Sequence, residues 1–332
     1  MADIRTRIFL AIVVLFIVFV SLTREQAQQP FVESRILMDT LITIRAYSDK
    51  AAKAVDLGFA AFAEVEKLAS FHLPDSELAR LNQRGDLAVE SSLTPLLKLS
   101  ADYYALSEGY FDPSFACLQK AYGFYSGVGR LPEQVELNEL LQNFCGLDKI
   151  LRQNGDGFVL ASGSLLDLGG IAGGYAIGKA AQALKEAGCT AFLIDDAGDI
   201  WFEGQKPDNT PWRIAVLDPR DKTNLALIES RSPLAISTSG DYERFITVAG
   251  VRYGHIMNPH SGRPVDYYSS VTLIASEPIA ADALSTAVFA MPPEIAFKWV
   301  EERNLPVLFL TATGTIHLSS AGRHYFSQVK TE

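Results

Sequence analysis

The stretch Ser164–Gly188, SLLDLGGIAGGYAIGKAAQALKEAG, organises the reading of the whole chain. A short apolar run, Leu165, Leu166 and Leu168, carries Asp167 and predicts a strand. It breaks at a predicted loop holding Gly169, Gly170, Gly173 and Gly174. Beyond the loop, Ile177, Ala181 and Leu184 recur at i, i+4 and i+7, which predicts a helix stopped by Gly188. Strand, glycine loop and helix start together present backbone N–H groups and a positive dipole end to an anion. The same glycines serve equally well in a tight connection, and spacing alone leaves both readings open. Two named phosphate loops fail. The glycine pairs never give GxGxxG, and the segment from Gly173 to Gly178-Lys179 continues with Ala180, where a P-loop needs a Ser or Thr hydroxyl.

At 332 residues, with 48% hydrophobic and 20% charged residues, the chain is of ordinary globular composition and long enough for a large core. A formal charge of −10 argues against general nucleic-acid binding, which needs a basic face. The three cysteines, Cys117, Cys145 and Cys189, are widely spaced and odd in number. They imply neither a disulfide framework nor a zinc site, so buried free thiols are expected. At the N-terminus, Arg5 and Arg7 precede thirteen unbroken apolar residues, Ile8 to Val20, and then a polar stretch. That is short for a membrane span and suits a signal-peptide core or anchor within residues 1–30. With the basic flank kept inside, residues 31–332 are expected to be exported as one domain.

Along that domain, residues 34–46 read as a strand pair or one long bent strand, and 50–68 as an amphipathic helix. Helices are expected over 93–108 and 132–143, strand over 158–168, and a strand carrying an acidic run over 191–204. Four strands follow between 212 and 256, the last with a hairpin signal at Ala249–Gly250. Strand 271–277, helices 279–290 and 293–303, strand 306–312 and a hairpin at Gly314 close the chain. The mixture predicts an α+β fold.

Within this frame, Asp282 and Thr286 lie four residues apart on one helical face. A carboxylate and a hydroxyl so placed suit a hard cation such as Mg²⁺, while a dipole-compensating acid and a solvent-facing Thr are the simpler alternative. The turn Ser237-Thr-Ser239-Gly-Asp241 offers hydroxyl donors. His255 closes a strand with a side chain able to act as a base near neutrality, or serves structure alone. Tyr110, Phe111 and Asp112 form a loop whose rings can stack on a planar ligand or pack inside.

Read in order, these stretches resemble the ApbE-type flavin transferases, the FAD:protein FMN transferase family. The resemblance runs through MDTLITI (38–44), PDSELARLN (74–82), GYFDPS (109–114), LDLGGIAGGYAIGKA (166–180), AGDIWFEG (197–204), STSGDYERF (237–245), HIMNPHSGRPV (255–265) and ADALSTAVF (281–289). It implies an ApbE-like, T-fold-related body of mixed, largely antiparallel sheets packed with helices. It further implies FAD and Mg²⁺ as substrate and cofactor, with FMN passed to a Thr or Ser hydroxyl of an exported or membrane electron-transfer subunit and AMP released. By the same resemblance, the Ala172 carbonyl, Asp282 and Thr286 are the metal ligands. Met38, Tyr110, Phe111, Asp112, Asp167, Gly170, Gly173, Ser239 and Ile256 lie near FAD, and His255 matches the histidine that assists the incoming hydroxyl. On chemical grounds His255 or Asp241 can accept that hydroxyl's proton.

Three departures stand out. Gly173 occupies the place of a usual Lys, Asp195-Asp196-Ala197-Gly198-Asp199 replaces the commoner NAGGD, and Asp39 replaces a glycine. The room beside Gly173 keeps a second activity in view, FAD hydrolysis to FMN and AMP. A third reading is a non-catalytic, membrane-tethered flavin carrier. Location at the periplasmic face of the inner membrane follows from the N-terminal segment and the family resemblance.

Overall fold

The computed structural model describes residues 29–87, 91–155 and 157–330. Apart from its last two residues, the expected leader, 1–30, falls outside them. Among the described residues no helix is long and apolar enough to cross a membrane.

Eight strands form the central sheet: β1 (Phe31–Leu37), β2 (Thr40–Tyr47), β3 (Ala191–Asp196), β4 (Asp199–Glu203), β5 (Leu234–Gly240), β6 (Tyr268–Ala275), β7 (Val307–Thr311) and β8 (Ile316–Leu318). They lie side by side in chain order, every neighbour antiparallel. The period-2 alternation of strand side chains divides this sheet between two cores. On one face Ile42, Ile44, Ile194, Leu273 and Phe309 pack under a layer of three helices, α1 (Ala51–Ala69), α2 (Gly169–Glu186) and α3 (Pro278–Ala290). On the other, Ile236, Ile274, Leu308 and Leu310 meet a small sheet built from Trp212–Leu217, Asn224–Ser230 and Phe326–Ser327. The result is the α+β fold expected from the sequence, with helices on one side of a largely antiparallel sheet.

Most expected elements are present, and turn chemistry accounts for where they break. The segment 34–46 is a strand pair, because Met38 and Asp39 take φ of 52° and 63°. Two successive positive φ angles make the turn type that matches the twist of a hairpin, and Asp tolerates that region better than most residues. The 191–204 strand is likewise two strands, β3 and β4, turned at Ala197 and Gly198 with φ of 51° and 112°. Ala249 and Gly250 turn the Phe245–Val248 and Val251–Gly254 hairpin as expected.

The opening stretch differs from its sequence reading in two ways. The run Leu165–Leu168 is not a strand, and the strand before it ends at Leu160. Leu166 and Leu168 are buried, yet the Leu166 peptide is satisfied by a side chain. Asn82 Oδ1 accepts its N–H at 2.8 Å, and Asn82 Nδ2 donates to its carbonyl at 2.9 Å. One amide thereby replaces the neighbouring strand that a buried backbone otherwise needs.

The second difference is that the glycines are no loop. The helix begins at Gly169 and contains all four, with one irregular turn at Gly170 (φ −88°, ψ 19°). What these positions require is the absence of a Cβ. A methyl on Gly174 would lie 2.6 Å from the Pro278 carbonyl oxygen and 2.8 Å from Asp282 Cβ. One on Gly170 would lie 3.1 Å from Thr286 Oγ1. The two glycines, four residues apart on one face of α2, let its first turns lie directly against α3.

Gly174→Ala is therefore expected to lower stability by about 1–3 kcal/mol through overpacking against rigid backbone. Gly178→Ala, four residues later with nothing within 4 Å of the added methyl, is expected to raise it by about 0.5–1 kcal/mol. Urea unfolding of the two variants checks the contrast; equal effects would contradict it.

Candidate active site

A cleft of about 690 Å³ opens where the start of α2 meets α3, a size usual for small-molecule sites. Met38 enters it from the β1–β2 turn, and Tyr110, Phe111 and Asp112 from the loop after the Thr94–Leu106 helix. Asp167, Gly170, Ala172 and Gly173 come from the start of α2. Ser239 of β5, His255 and Ile256 beyond the Val251–Gly254 strand, and Asp282 and Thr286 of α3 complete the expected set. Asp241 is the exception. It does not line the cleft and lies exposed against Gly254, so the structure does not bring it to the other candidates.

Asp282 sits at the junction of the two helices. It is 5% exposed, and its Oδ2 accepts the Gly174 N–H at 2.8 Å. A Cβ on Gly173 would lie 3.4 Å from both Asp282 Oδ2 and Asp196 Oδ2, and 3.7 Å from Asp199 Oδ2. Three carboxylates thus converge on one glycine, brought together from α3 and the β3–β4 hairpin. Burial raises the Asp282 carboxyl well above its ordinary range, and the Asp199 charge raises it further. Burial also pushes Asp199 up to about 7, with Asp196 adding to the effect. Hydroxyls surround the same point. Ser285 Oγ lies 3.0 Å from Ser237 Oγ and 2.9 Å from Ser239 Oγ, and Ser239 Oγ is 3.4 Å from Thr286 Oγ1.

This donor set is oxygen throughout, which suits a hard cation. Among the described residues no three His, Cys, Asp or Glu side chains sit close enough to enclose a metal ion by themselves. Asp282 and Thr286 supply two of these oxygens to the cleft.

His255 lies half-buried on the cleft wall. Its Nδ1 is 3.2 Å from the Arg244 carbonyl oxygen, which can only accept, so Nδ1 carries the proton and Nε2 holds the free lone pair. Burial, with the nearby Arg244 charge, pushes the ring down to about 4 and keeps it neutral at physiological pH.

Two of the expected ligand-contacting carboxylates also hold the loops. Asp112 Oδ1 accepts the Ser114 N–H at 2.9 Å and Oδ2 the Gly146 N–H at 3.2 Å, and burial pushes its pKa up to about 6. Asp167 Oδ1 accepts the Gly169 N–H at 2.8 Å. Its Oδ2 lies 2.8 Å from Tyr125 Oη, whose single proton is shared between that carboxylate and Gln119 Oε1. Gln119 Nε2 in turn donates to the His255 carbonyl at 3.1 Å, and Phe71 stacks on the Tyr125 ring at 4.2 Å. Tyr125 and Gln119 thus tie the start of α2 to the segment carrying His255. Sequence reasoning missed both. Neither belongs to a recognisable pattern, and their partners lie 42 and 136 residues away.

Comparison with known proteins matches this arrangement to one class. A profile of the ApbE family covers residues 38–309. The FAD:protein FMN transferase of Vibrio cholerae is 31% identical over 258 residues, spanning 75% of this chain and 77% of that protein. The enzyme of the same name from Haemophilus influenzae is 25% identical over 304 residues, spanning 87% and 86%. Among solved structures, the Thermotoga maritima ApbE protein superposes with a TM-score of 0.84 at 29% identity, covering 90% of this chain and 99% of its own. The Pseudomonas stutzeri flavinyl transferase ApbE gives 0.80 at 27% identity, covering 91% and 99%. The chain belongs to the ApbE family. Like the curated relatives it matches, it is a transferase.

The carboxylate cluster sets a pH dependence. The folded pKa of Asp199 stands above its unfolded value near 3.8, so its contribution to stability is complete below that value and is lost as pH rises through about 7. The melting temperature of EDTA-treated protein is expected to fall between about pH 5 and about pH 8, and Asp199→Asn to flatten the fall. A flat wild-type profile would contradict the placement.

Proposed function

We propose that the protein transfers the FMN half of FAD to a Thr or Ser hydroxyl of a target protein and releases AMP. The observation that carries this reading is the meeting of Asp282, Thr286 and the Ala172–Gly174 backbone at one end of a cleft whose wall also holds neutral His255 and the rings of Tyr110 and Phe111. The names of the relatives support the same chemistry. Asp282, Thr286 and the Ala172 carbonyl would hold Mg²⁺, which when bound neutralises charge on pyrophosphate oxygens.

The chain's own groups do the rest. Arg244 is the only Lys or Arg among the described residues lining the cleft, which makes it the side chain placed to meet a phosphate oxygen. Tyr110 and Phe111 line the cleft from the main core, 6% and 3% exposed, so they shape its wall by packing rather than by open ring faces. The acceptor hydroxyl attacks the phosphorus of the FMN half in line, the bond to the AMP oxygen breaks, and His255 Nε2 takes the hydroxyl proton. Positioning and charge carry most of such a transfer. In this reading residues from 31 onward work at the periplasmic face of the inner membrane, free or anchored through the first 30 residues. The acceptor is an exported or membrane electron-transfer subunit.

The test incubates the protein with FAD, Mg²⁺ and a candidate acceptor and looks for covalent flavin fluorescence on a denaturing gel. Asp282→Ala is expected to lower transfer by at least about 100-fold while FAD still binds, since a metal ligand acts on the charge of the reaction. A flavin carrier would instead keep its function in that variant. The pH–rate profile is expected to lack an inflection near 6.5, because His255 is already neutral there.

FAD hydrolysis remains the second reading, on the observation that Gly173 places no side chain beside the three carboxylates. Gly173→Lys fits without backbone clash, since its Cβ meets its nearest atoms at 3.4 Å. If water uses that room, wild type releases AMP without an acceptor and the variant does so less. Strict dependence on acceptor excludes hydrolysis.

A further inference from the structure

Cys117 and Cys145 lie outside the chemistry of the cleft, and the structure brings their sulfurs to 3.0 Å across 28 residues of sequence. Both are buried. Cys117 is in the first turn of the Ala116–Tyr122 helix, and Cys145 follows the last residue of the Gln134–Phe144 helix. The third thiol, Cys189, lies elsewhere, near the carbonyls of Tyr47 and Ala191. A metal does not explain the pair, because no third Cys, His, Asp or Glu completes a ligand set among the described residues.

We propose that Cys117 and Cys145 form a disulfide in the mature protein, a covalent clasp beneath one wall of the cleft. Bonded sulfurs stand about 2.05 Å apart, so the two atoms need to approach by roughly 1 Å. The position gives the clasp a task. Gly146, next to Cys145, donates its N–H to Asp112 Oδ2 at 3.2 Å and to Ser114 Oγ at 2.8 Å. Cys117 stands three residues beyond Ser114, with its Sγ 3.5 Å from the Ser114 carbonyl oxygen. The bond would fasten the Tyr110–Ser114 loop to the 145–146 corner.

The surrounding packing makes this useful. Phe115, Leu118, Tyr122, Leu137 and Met257 form a satellite core apart from the two flanking the sheet, drawn from short elements rather than from the central sheet. In the oxidation, the two thiols lose two protons and two electrons and form one S–S bond. A small-molecule or protein disulfide is the oxidant and is reduced to two thiols by exchange. Exchange needs a thiolate, and in the folded protein the Cys117 contact and burial both raise the Cys145 thiol. The bond therefore forms while the chain folds, before the pair is enclosed, and persists as structure rather than as a switch.

The inference is independent of the flavin-transfer reading, and its test uses no activity. The reduced, denatured full chain is refolded in a mixture of reduced and oxidised glutathione, denatured, alkylated with iodoacetamide, digested and mapped by mass spectrometry. The expected product is a linked Cys117–Cys145 peptide with Cys189 alkylated. Three alkylated cysteines, or Cys189 in a linked peptide, would overturn the proposal. In thermal melts, reductant is expected to lower the Tm of the oxidised protein by on the order of 5 °C. The same shift is expected in Cys189→Ser, which keeps the pair, and its absence there counts against the bond.

Discussion

The contact between the first turns of α2 and α3 is the constraint on which the rest of the site depends. Two positions without a Cβ, Gly170 and Gly174, bring one helix so near the other that a backbone N–H of α2 reaches a side-chain carboxylate of α3. Asp282 and Thr286 acquire a direction only because of this approach. Spread further apart, the helices would leave the Gly174 N–H to its own ladder and Asp282 facing a gap. The serines of β5 then tie the same stretch of α3 to the sheet through hydroxyl contacts with Ser285.

That arrangement concentrates negative charge where apolar packing would be more stable. Asp196, Asp199 and Asp282 repel one another and are poorly solvated, as their raised carboxyl pKa values reflect. Two stretches far apart in sequence meet at this point. Gly173 places no side chain there, and the acidic run 195–199 brings Asp196 and Asp199 beside it.

The sequence disclosed a good deal of this, and unevenly. Hairpins announced themselves wherever the chain required positive φ, as at Ala249–Gly250, and long helices followed from their apolar period. The strand 191–204 was read as one because Ala197 is not a residue that advertises a left-handed turn. The start of α2 was misread for a sharper reason. Glycine is known by the conformations it allows, whereas Gly170 and Gly174 are needed for the atoms they lack, and no local pattern separates the two. Leu165–Leu168 has the burial of a strand without a strand partner, since Asn82 takes that place from 84 residues away. Thirteen of the fourteen expected site residues share the cleft, because motifs carried them there together. Asp241 belongs to the same motif as Ser239 but stands one residue past the end of β5, and it does not. The convergence of Asp196 and Asp199 on Asp282 depends on sheet order, which the sequence left open.

The sheet's outer edge bears on how the protein meets other molecules. β1 is the first strand and an edge strand, and it runs straight into Met38 on the cleft wall. Seven residues of extended chain, Phe31–Leu37, span roughly 23 Å. The point where the preceding chain joins the body is thus one strand length from the cleft. For a body held to a surface through that end, the arithmetic works as a ruler. On the proposed function, acceptors whose hydroxyl lies close to the same surface would come within reach directly, while those carrying it farther out would have to supply the missing distance with a flexible segment of their own.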